Sequence, residues 1–415
     1  MRHGFTVCLF AVTVNFLTLT PSFAQSDIPA GFEVSTVAAG LSEPIALAAA
    51  PDGRVFIGER GGTIRVLQDG VVLDEPFAEI PVFTGGECGL LGFAIDPDFA
   101  GNGHLFMFVS VSSNEQQIMR ITDVDGVGTN LVTIRGNLPT VGANHNGGAI
   151  AFGPDGHIYF AIGDNGQPSL SADLTSLAGK VCRITRDGDT PDDNPFTTPT
   201  GSPRAIFALG FRNPFRMCFD DEGRLFVVDV GSSDEARREE VNLVTAGGDH
   251  GWPTLEGVGG TAQGFVDPIV AYHDEGASIT GIVSYSGDQF PAEFRGNLFH
   301  LDYVSNGLFR TVLDSDLAAS HDIFLTFDSA PVELIESPDG SLYASLIFAG
   351  ELKRIRYTLG ASVDDPVDDP DDGNTDDGSG VVTAAPTGAL CGLGLIPLLL
   401  IAPLLGVQRK LRRRV

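Results

Sequence analysis

Six times along the chain an aliphatic and then an aromatic position follow a glycine after one variable residue: Gly53-Arg-Val-Phe, Gly103-His-Leu-Phe, Gly156-His-Ile-Tyr, Gly223-Arg-Leu-Phe, Gly296-Asn-Leu-Phe and Gly340-Ser-Leu-Tyr. Four of the six are introduced by a Pro-Asp or Asp-Asp turn, at Pro51-Asp52, Pro154-Asp155, Asp220-Asp221 and Pro338-Asp339. Such a turn closes a hairpin and releases the chain into an extended strand, here expected to be half-buried. The glycines stand 50, 53, 67, 73 and 44 residues apart, a spacing that suits one stacked supersecondary unit per repeat. Helical periodicity is scarce. The pattern predicts an all-β fold, a six-bladed β-propeller, with function near the central axis where the inner strands and their entry loops converge.

The ends differ from this body. Residues 1–24 combine a lone Arg2, an apolar run from Phe5 to Leu19 and a Ser22-Phe23-Ala24 end suited to signal-peptidase cleavage, so they read as a signal peptide and the mature protein as exported. The propeller is assigned to residues 27–358. After Tyr357 the chain turns to Asp-Asp-Pro-Val-Asp-Asp-Pro-Asp-Asp-Gly, too poor in apolar surface to fold, and 359–388 reads as a disordered acidic linker. The 19 uncharged residues 389–407 match a membrane-spanning helix at about 1.5 Å per residue, and the basic tail 408–415 would stay cytoplasmic. That makes the membrane an expected partner and places the propeller outside, at the cell surface or in the periplasm. With Cys391-Gly392 at its entrance, the segment also resembles the C-terminal sorting tails of Gram-negative surface proteins, which are cut and re-anchored; a plain anchor and a processed tail both remain open.

A net charge of −29 argues against nucleic acid or an anionic surface as a partner and is compatible with bound Ca²⁺. Cys88, Cys182 and Cys218, an odd number within the propeller, predict buried free thiols rather than a disulfide framework. The sequence leaves the oligomeric state open.

Candidate chemistry lies in three glycine-rich stretches. The first is Gly86-Glu87-Cys88-Gly89-Leu90-Leu91-Gly92-Phe93. The second, Asn144-His145-Asn146-Gly147-Gly148, precedes one strand, and Ile162-Gly163-Asp164-Asn165-Gly166 ends the next. An imidazole flanked by amides and glycines is accessible, and Asp164 is a partner that could set its tautomer, which makes His145 the candidate base. The third, Leu209-Gly210-Phe211-Arg212-Asn213-Pro214-Phe215, pins an arginine able to grip a carboxylate or a developing oxyanion. Beyond it, Asp229-Val230-Gly231-Ser232-Ser233, Glu239-Glu240 and Gly248-Asp249-His250-Gly251-Trp252-Pro253 offer carbonyls and carboxylates of the kind Ca²⁺ prefers.

At these residues the chain resembles the soluble glucose/sorbosone dehydrogenase family, the pyrroloquinoline-quinone (PQQ)-dependent aldose sugar dehydrogenases built as six-bladed propellers. The motifs run in order from Glu87–Ala94 through Asn144–Gly148, Phe152–Gly156, Gly163-Asp164, Gly179-Lys180-Val181 and Arg212-Asn213-Pro214 to Gly251-Trp252-Pro253. The resemblance implies that His145 takes the proton of a sugar's anomeric hydroxyl while hydride passes to the quinone, that Asp164 orients it, and that Arg212 steadies the developing charge. It implies Glu87, Asn144, Arg212 and Asn213 beside PQQ, backbone oxygens of Gly231 and Ser232 on a cofactor Ca²⁺, and Glu240 and His250 on a second Ca²⁺. The small-molecule sugar would leave as a lactone.

Two departures qualify this. The family's tight binders of the quinone present a lysine and two arginines from the last two blades to its three carboxylates, whereas the matching stretches here read His300-Leu301-Asp302-Tyr303-Val304-Ser305 and Ser329-Ala330-Pro331-Val332-Glu333-Leu334. A tricarboxylate facing Arg212 alone would leave buried charge uncompensated, so weak cofactor affinity is expected. A turn glutamine expected near Val230 is also missing, and the later blades resemble the branch of the fold that includes hedgehog-interacting protein. The alternatives to a sugar dehydrogenase are therefore a non-catalytic cell-surface binding module and a Ca²⁺-dependent lactonase or other hydrolase.

Overall fold

The glycine of each repeat closes the turn that joins the first strand of a sheet to its second. All six, Gly53, Gly103, Gly156, Gly223, Gly296 and Gly340, have φ between 65° and 89°, a region where a side chain is strained. In the Asp-containing turns the aspartate accepts a backbone N–H beyond the glycine, as Asp155 does from His157 and Asp339 from Ser341. The computed structural model describes residues 28–358 except 142–143, 202–203, 234–237, 274–276, 316 and 318. The signal-peptide, linker, helix and tail expectations for 1–24, 359–388, 389–407 and 408–415 lie outside the described residues. Among the described residues no helix is long and apolar enough to cross a membrane.

Six antiparallel sheets make a six-bladed propeller. Blade 1 is Pro44–Ala49, Val55–Glu59, Thr63–Gln68 and Val71–Val72, with Ala78–Glu79 beside its third strand; blade 2 is Leu90–Ile95, His104–Ser112, Glu115–Val124 and Val127–Pro139. Blade 3 is Ile150–Phe152, Ile158–Ile162, Lys180–Ile184 and Ile206–Leu209; blade 4 is Pro214–Phe219, Leu225–Asp229, Glu239–Val244 and Val270–Tyr272. Blade 5 is Ile279–Ser284, Leu298–Asp302, Gly307–Leu313 and Ala319–Thr326. Blade 6 takes Pro331–Glu336, Leu342–Leu346 and Glu351–Tyr357 from the end of the domain and its outer strand, Phe32–Ala38, from the beginning.

The aliphatic-aromatic pair begins the second strand of every blade. Those strands are more buried than expected: Ile158–Ile162, Leu225–Asp229, Leu298–Asp302 and Leu342–Leu346 are buried along their whole length. The half-buried expectation fails because a neighbouring blade covers each face of the sheet. Ring closure joins Val34 to Ile355 and Phe32 to Tyr357 in antiparallel register. Phe32 then sits edge-on to Phe290, Phe294, Phe324 and Tyr357 at 4.9–5.3 Å. Cys88, Cys182 and Cys218 are free, as expected, although Cys218 is only half-buried.

Topology gives the ring two unlike faces. First strands run toward the glycine turns, and second strands return to the opposite face, where the loops entering each first strand also lie. Between the faces an ion pair crosses the axis: Arg216 Nε of blade 4 donates to Glu333 Oε2 of blade 6 at 2.6 Å, and its Nη2 donates to Ile45 O of blade 1 at 2.6 Å. The two side chains are 5% and 8% exposed. A cavity of about 820 Å³ opens below this pair toward the glycine-turn face.

Removing one partner of a sealed ion pair strands the other, so Glu333→Ala should lower the free energy of unfolding by about 3–5 kcal/mol. The Arg216→Met/Glu333→Leu double substitution should restore most of that loss in denaturant titrations. A Glu333→Ala protein as stable as the parent would mean that water reaches the pair.

Candidate active site

The loop ahead of blade 3 carries His145 in a left-handed conformation, φ 55°. Glu87 of the blade 2 entry loop holds it there: Glu87 Oε2 accepts from His145 N at 2.7 Å and from Asn146 N at 3.4 Å. Gly163 lets the loop close, since a Cβ at that position would lie 2.2 Å from His145 O. Asn144 is exposed on the same loop. Gly147 N donates to Asn213 Oδ1 at 3.1 Å, which ties the loop to blade 4.

The His145 Nδ1 lies 2.5 Å from Asp164 Oδ1. Fully buried, Asp164 also accepts from Gly166 N at 2.7 Å and, through Oδ2, from Trp252 Nε1 at 2.9 Å. A carboxylate accepting from two other donors leaves Nδ1 as the proton-bearing nitrogen and Nε2 as the basic one. Asp164 N in turn donates to Arg212 O at 2.7 Å. The Arg212 and Asn213 amides both donate to Asp229, at 2.8 and 2.6 Å, and the Arg212 guanidinium donates to Val230 O at 2.9 Å while lying 5.8 Å from the centre of the Trp252 ring. Base, orienting carboxylate and guanidinium thus converge on Trp252, on the face opposite the glycine turns.

The residues expected to hold metal are near but differently engaged. Gly231 N donates to Glu239 Oε2, and Ser232 N and Oγ each donate to Glu256 at 2.6 Å. Glu240 accepts from Gly257 N at 2.6 Å and from Asn242 Nδ2 at 3.1 Å, and Asn242 Oδ1 faces His250 Nδ1 at 3.1 Å. His250 stacks on Phe211 with ring centres 4.5 Å apart, and its Nε2 is buried without a partner. Among the described residues no group of three or more His, Cys, Asp or Glu side chains is arranged to hold a metal ion.

PQQ matches one edge of the site. Arg212 turns one guanidinium bond to Val230 O and keeps other donors for a carboxylate, with Asn213 beside it. Three cations of the last two blades are already engaged: Arg295 pairs with Asp288, Arg310 binds Asn297 Oδ1 and Glu293 O, and Lys353 binds Thr36 Oγ1 and Glu351. Arg60 at the rim is engaged by Glu43 and by the carbonyls of Thr84, Gly86 and Cys88.

Sequence reasoning missed Arg216, Trp252 as the bridge, and Glu256. A lone charge inside the apolar strands Pro214–Phe219 and Pro331–Glu336 was the available signal for the first, because such a charge demands a partner. The single tryptophan of the chain, within a tight Gly-Trp-Pro run, was the signal for the second.

With this geometry in hand, the chain belongs to the Glucose / Sorbosone dehydrogenase family, whose profile matches residues 41–351. It is 28% identical to the aldose sugar dehydrogenase YliI of Escherichia coli over 338 residues, covering 76% of this chain and 90% of that protein. The PQQ-bound aldose sugar dehydrogenase of Streptomyces coelicolor is similar in structure, with a TM-score of 0.68 and 30% identity over 79% of this chain and 99% of that one. Human hedgehog-interacting protein is 29% identical over 225 residues, 46% of this chain and 32% of that protein.

Burial drives the His250 imidazole down to about 4, and burial with the neighbouring Glu256 and Glu239 charges lifts Glu240 to about 7. The two act in opposite directions on stability. His250 is neutral when folded, so its contribution is present above pH 6.5 and is lost as the pH falls toward 4. Glu240 contributes most below pH 4.5, and that contribution is lost as the pH rises through about 7. Between pH 7 and pH 5, His250→Asn should therefore gain about 2 kcal/mol relative to the parent in metal-free denaturant unfolding. Parallel pH profiles for parent and variant would contradict a buried neutral His250.

Proposed function

We propose that the protein is an exported oxidoreductase that converts the anomeric C–OH of an aldose sugar to a lactone, using PQQ and Ca²⁺. The observation that supports it is the unbroken chain from His145 through Asp164 and Trp252 to Arg212 at one mouth of the ring. His145 Nε2 accepts the proton of the anomeric hydroxyl, and the Asp164 carboxylate stabilises the imidazolium that results. Arg212 compensates negative charge that develops beside the reacting carbon. When bound, PQQ supplies the two-electron acceptor for the hydride that leaves C1. Arg212 and Asn213 would hold its near edge, with Glu87 and Asn144 on the neighbouring loop, and Gly231 and Ser232 would offer backbone oxygens to its Ca²⁺. In this reading a second Ca²⁺ would lie at Glu240 and His250. We further propose that residues 1–24 direct export and that 389–407 anchor or sort the protein at the membrane.

A non-catalytic binding module is the second reading, favoured by the engagement of Arg295, Arg310 and Lys353 with other partners and by the similarity to hedgehog-interacting protein. Dye reduction on aldoses after incubation with PQQ and Ca²⁺ separates the two. The parent should reduce dye, a chelator should abolish the activity, and His145→Ala should lower kcat by about 10²–10⁴. Trp252 fluorescence should be quenched by quinone in both proteins. If quinone and Ca²⁺ yield neither quenching nor dye reduction, the oxidoreductase reading fails.

A further inference from the structure

Below the Arg216–Glu333 pair the axial channel continues as the cavity of about 820 Å³, lined by the inner strands of all six blades, from Leu47–Ala49 of blade 1 to Glu333–Glu336 of blade 6. The ion pair is its ceiling. The two charges there cancel, and the guanidinium is further engaged by Ile45 O and Phe215 O. The walls below are largely apolar, with Phe93, Ile95, Met217, Val283 and Ile335 among the lining side chains.

Three carboxylates meet at the open end, and one differs from the others. Asp288 pairs with Arg295, and Asp339 pairs with Arg354. Glu336 pairs with no cation among the described residues; its Oε2 accepts from Ser286 N at 2.8 Å and from Ser286 Oγ at 3.3 Å. It stands half-buried where the apolar walls end, under the loop that follows the inner strand of blade 5. A Cβ at Gly287 would lie 2.6 Å from Glu336 Oε1 and 2.9 Å from Gly340 Cα, so glycine is what lets this loop close over the carboxylate. Burial, together with the charge of Asp221 in the blade 4 turn, lifts the Glu336 carboxyl above its ordinary range. A half-buried carboxylate served only by neutral donors gains from any cation brought to it.

A cavity of this volume lies within the range of small-molecule sites, in which apolar walls bury the body of a ligand and a few polar groups fix its orientation. Three residues of strand separate Glu333 at the ceiling from Glu336 at the open end, about 10 Å at roughly 3.3 Å per residue. The orienting group is anionic, and a net charge of −29 also turns anions away.

We propose that this lower channel is a second ligand site, separate from that of His145, and that it takes a small amphiphile bearing an ammonium group, with the ammonium on Glu336 and the apolar body directed along the axis toward the ion pair. Calorimetry on the full chain with octylammonium, octanol and octanoate tests it without requiring turnover, the octyl chain being about as long as the channel is deep. Octylammonium should bind about tenfold more tightly than octanol, and octanoate more weakly than either. An acidic surface attracts cations everywhere, so two variants locate the site. Glu336→Gln, which keeps an acceptor for Ser286, should weaken octylammonium about tenfold and leave octanol unchanged. Val283→Phe, which fills part of the channel, should weaken both amphiphiles about tenfold. Equal affinity for octylammonium and octanol, or a preference for octylammonium that survives in Glu336→Gln, overturns the proposal. So does octylammonium binding that Val283→Phe leaves unchanged, which would put the amphiphile on the outer surface. Should Val283→Phe fail to fold, Glu336→Gln decides alone, because the amide alters charge and not shape.

Discussion

Closing the ring is the constraint from which the rest of the structure follows. Each blade is a sheet buried on both faces, and its stability depends on a neighbour on either side. The sixth blade lacks an outer strand until the beginning of the domain returns to supply it, as Thr36 does when it meets Lys353 across 317 positions of sequence. The aromatic nest around Phe32 turns that return into buried apolar area at the seam between blades 5 and 6. Without it, Glu351–Tyr357 would be an unpaired edge, and the alignment of all six inner strands around one axis would have no closure.

A closed ring also sorts the loops. The glycine turns and a cavity occupy one face, while the connections that carry Glu87, His145, Asp164 and Asn213 gather on the other. This is why residues from blades 2, 3 and 4 reach one another through Glu87, Asp164 and Asn213. Burying charge at such a convergence is tolerated only where donors surround it. Asp164 has three partners, Asp229 two backbone amides, and Glu333 the Arg216 guanidinium. The Arg216–Glu333 pair also divides the axis, so the site rests on a floor without net charge.

Much of the architecture was legible because its signals are local. A left-handed glycine, an aspartate bonding its own turn and an aliphatic-aromatic pair entering a strand all act within five residues, so they survive in sequence as a period. The pairing of His145 with Asp164 was readable for a related reason, since 19 positions separate them and both sit at ends of adjacent strands of one blade. The degree of burial was misjudged, because alternation within a strand reports one covered face and says nothing of the blade that will cover the other. The residues expected to hold metal lie beside the site, yet Glu240, Ser232 and Gly231 spend bonds on Asn242, Glu256 and Glu239 that spacing alone did not disclose.

By itself, then, the amino-acid order determined the number of blades, the turn that begins each second strand and the strands that flank His145, since each is a property of neighbouring residues. Tertiary structure decided which nitrogen of His145 is basic, what supports Arg212 and what seals the axis. Those outcomes join Asp164 to Trp252 over 88 positions and Arg216 to Glu333 over 117. Contacts over such separations exist only after the ring has closed, and no short-range preference encodes them.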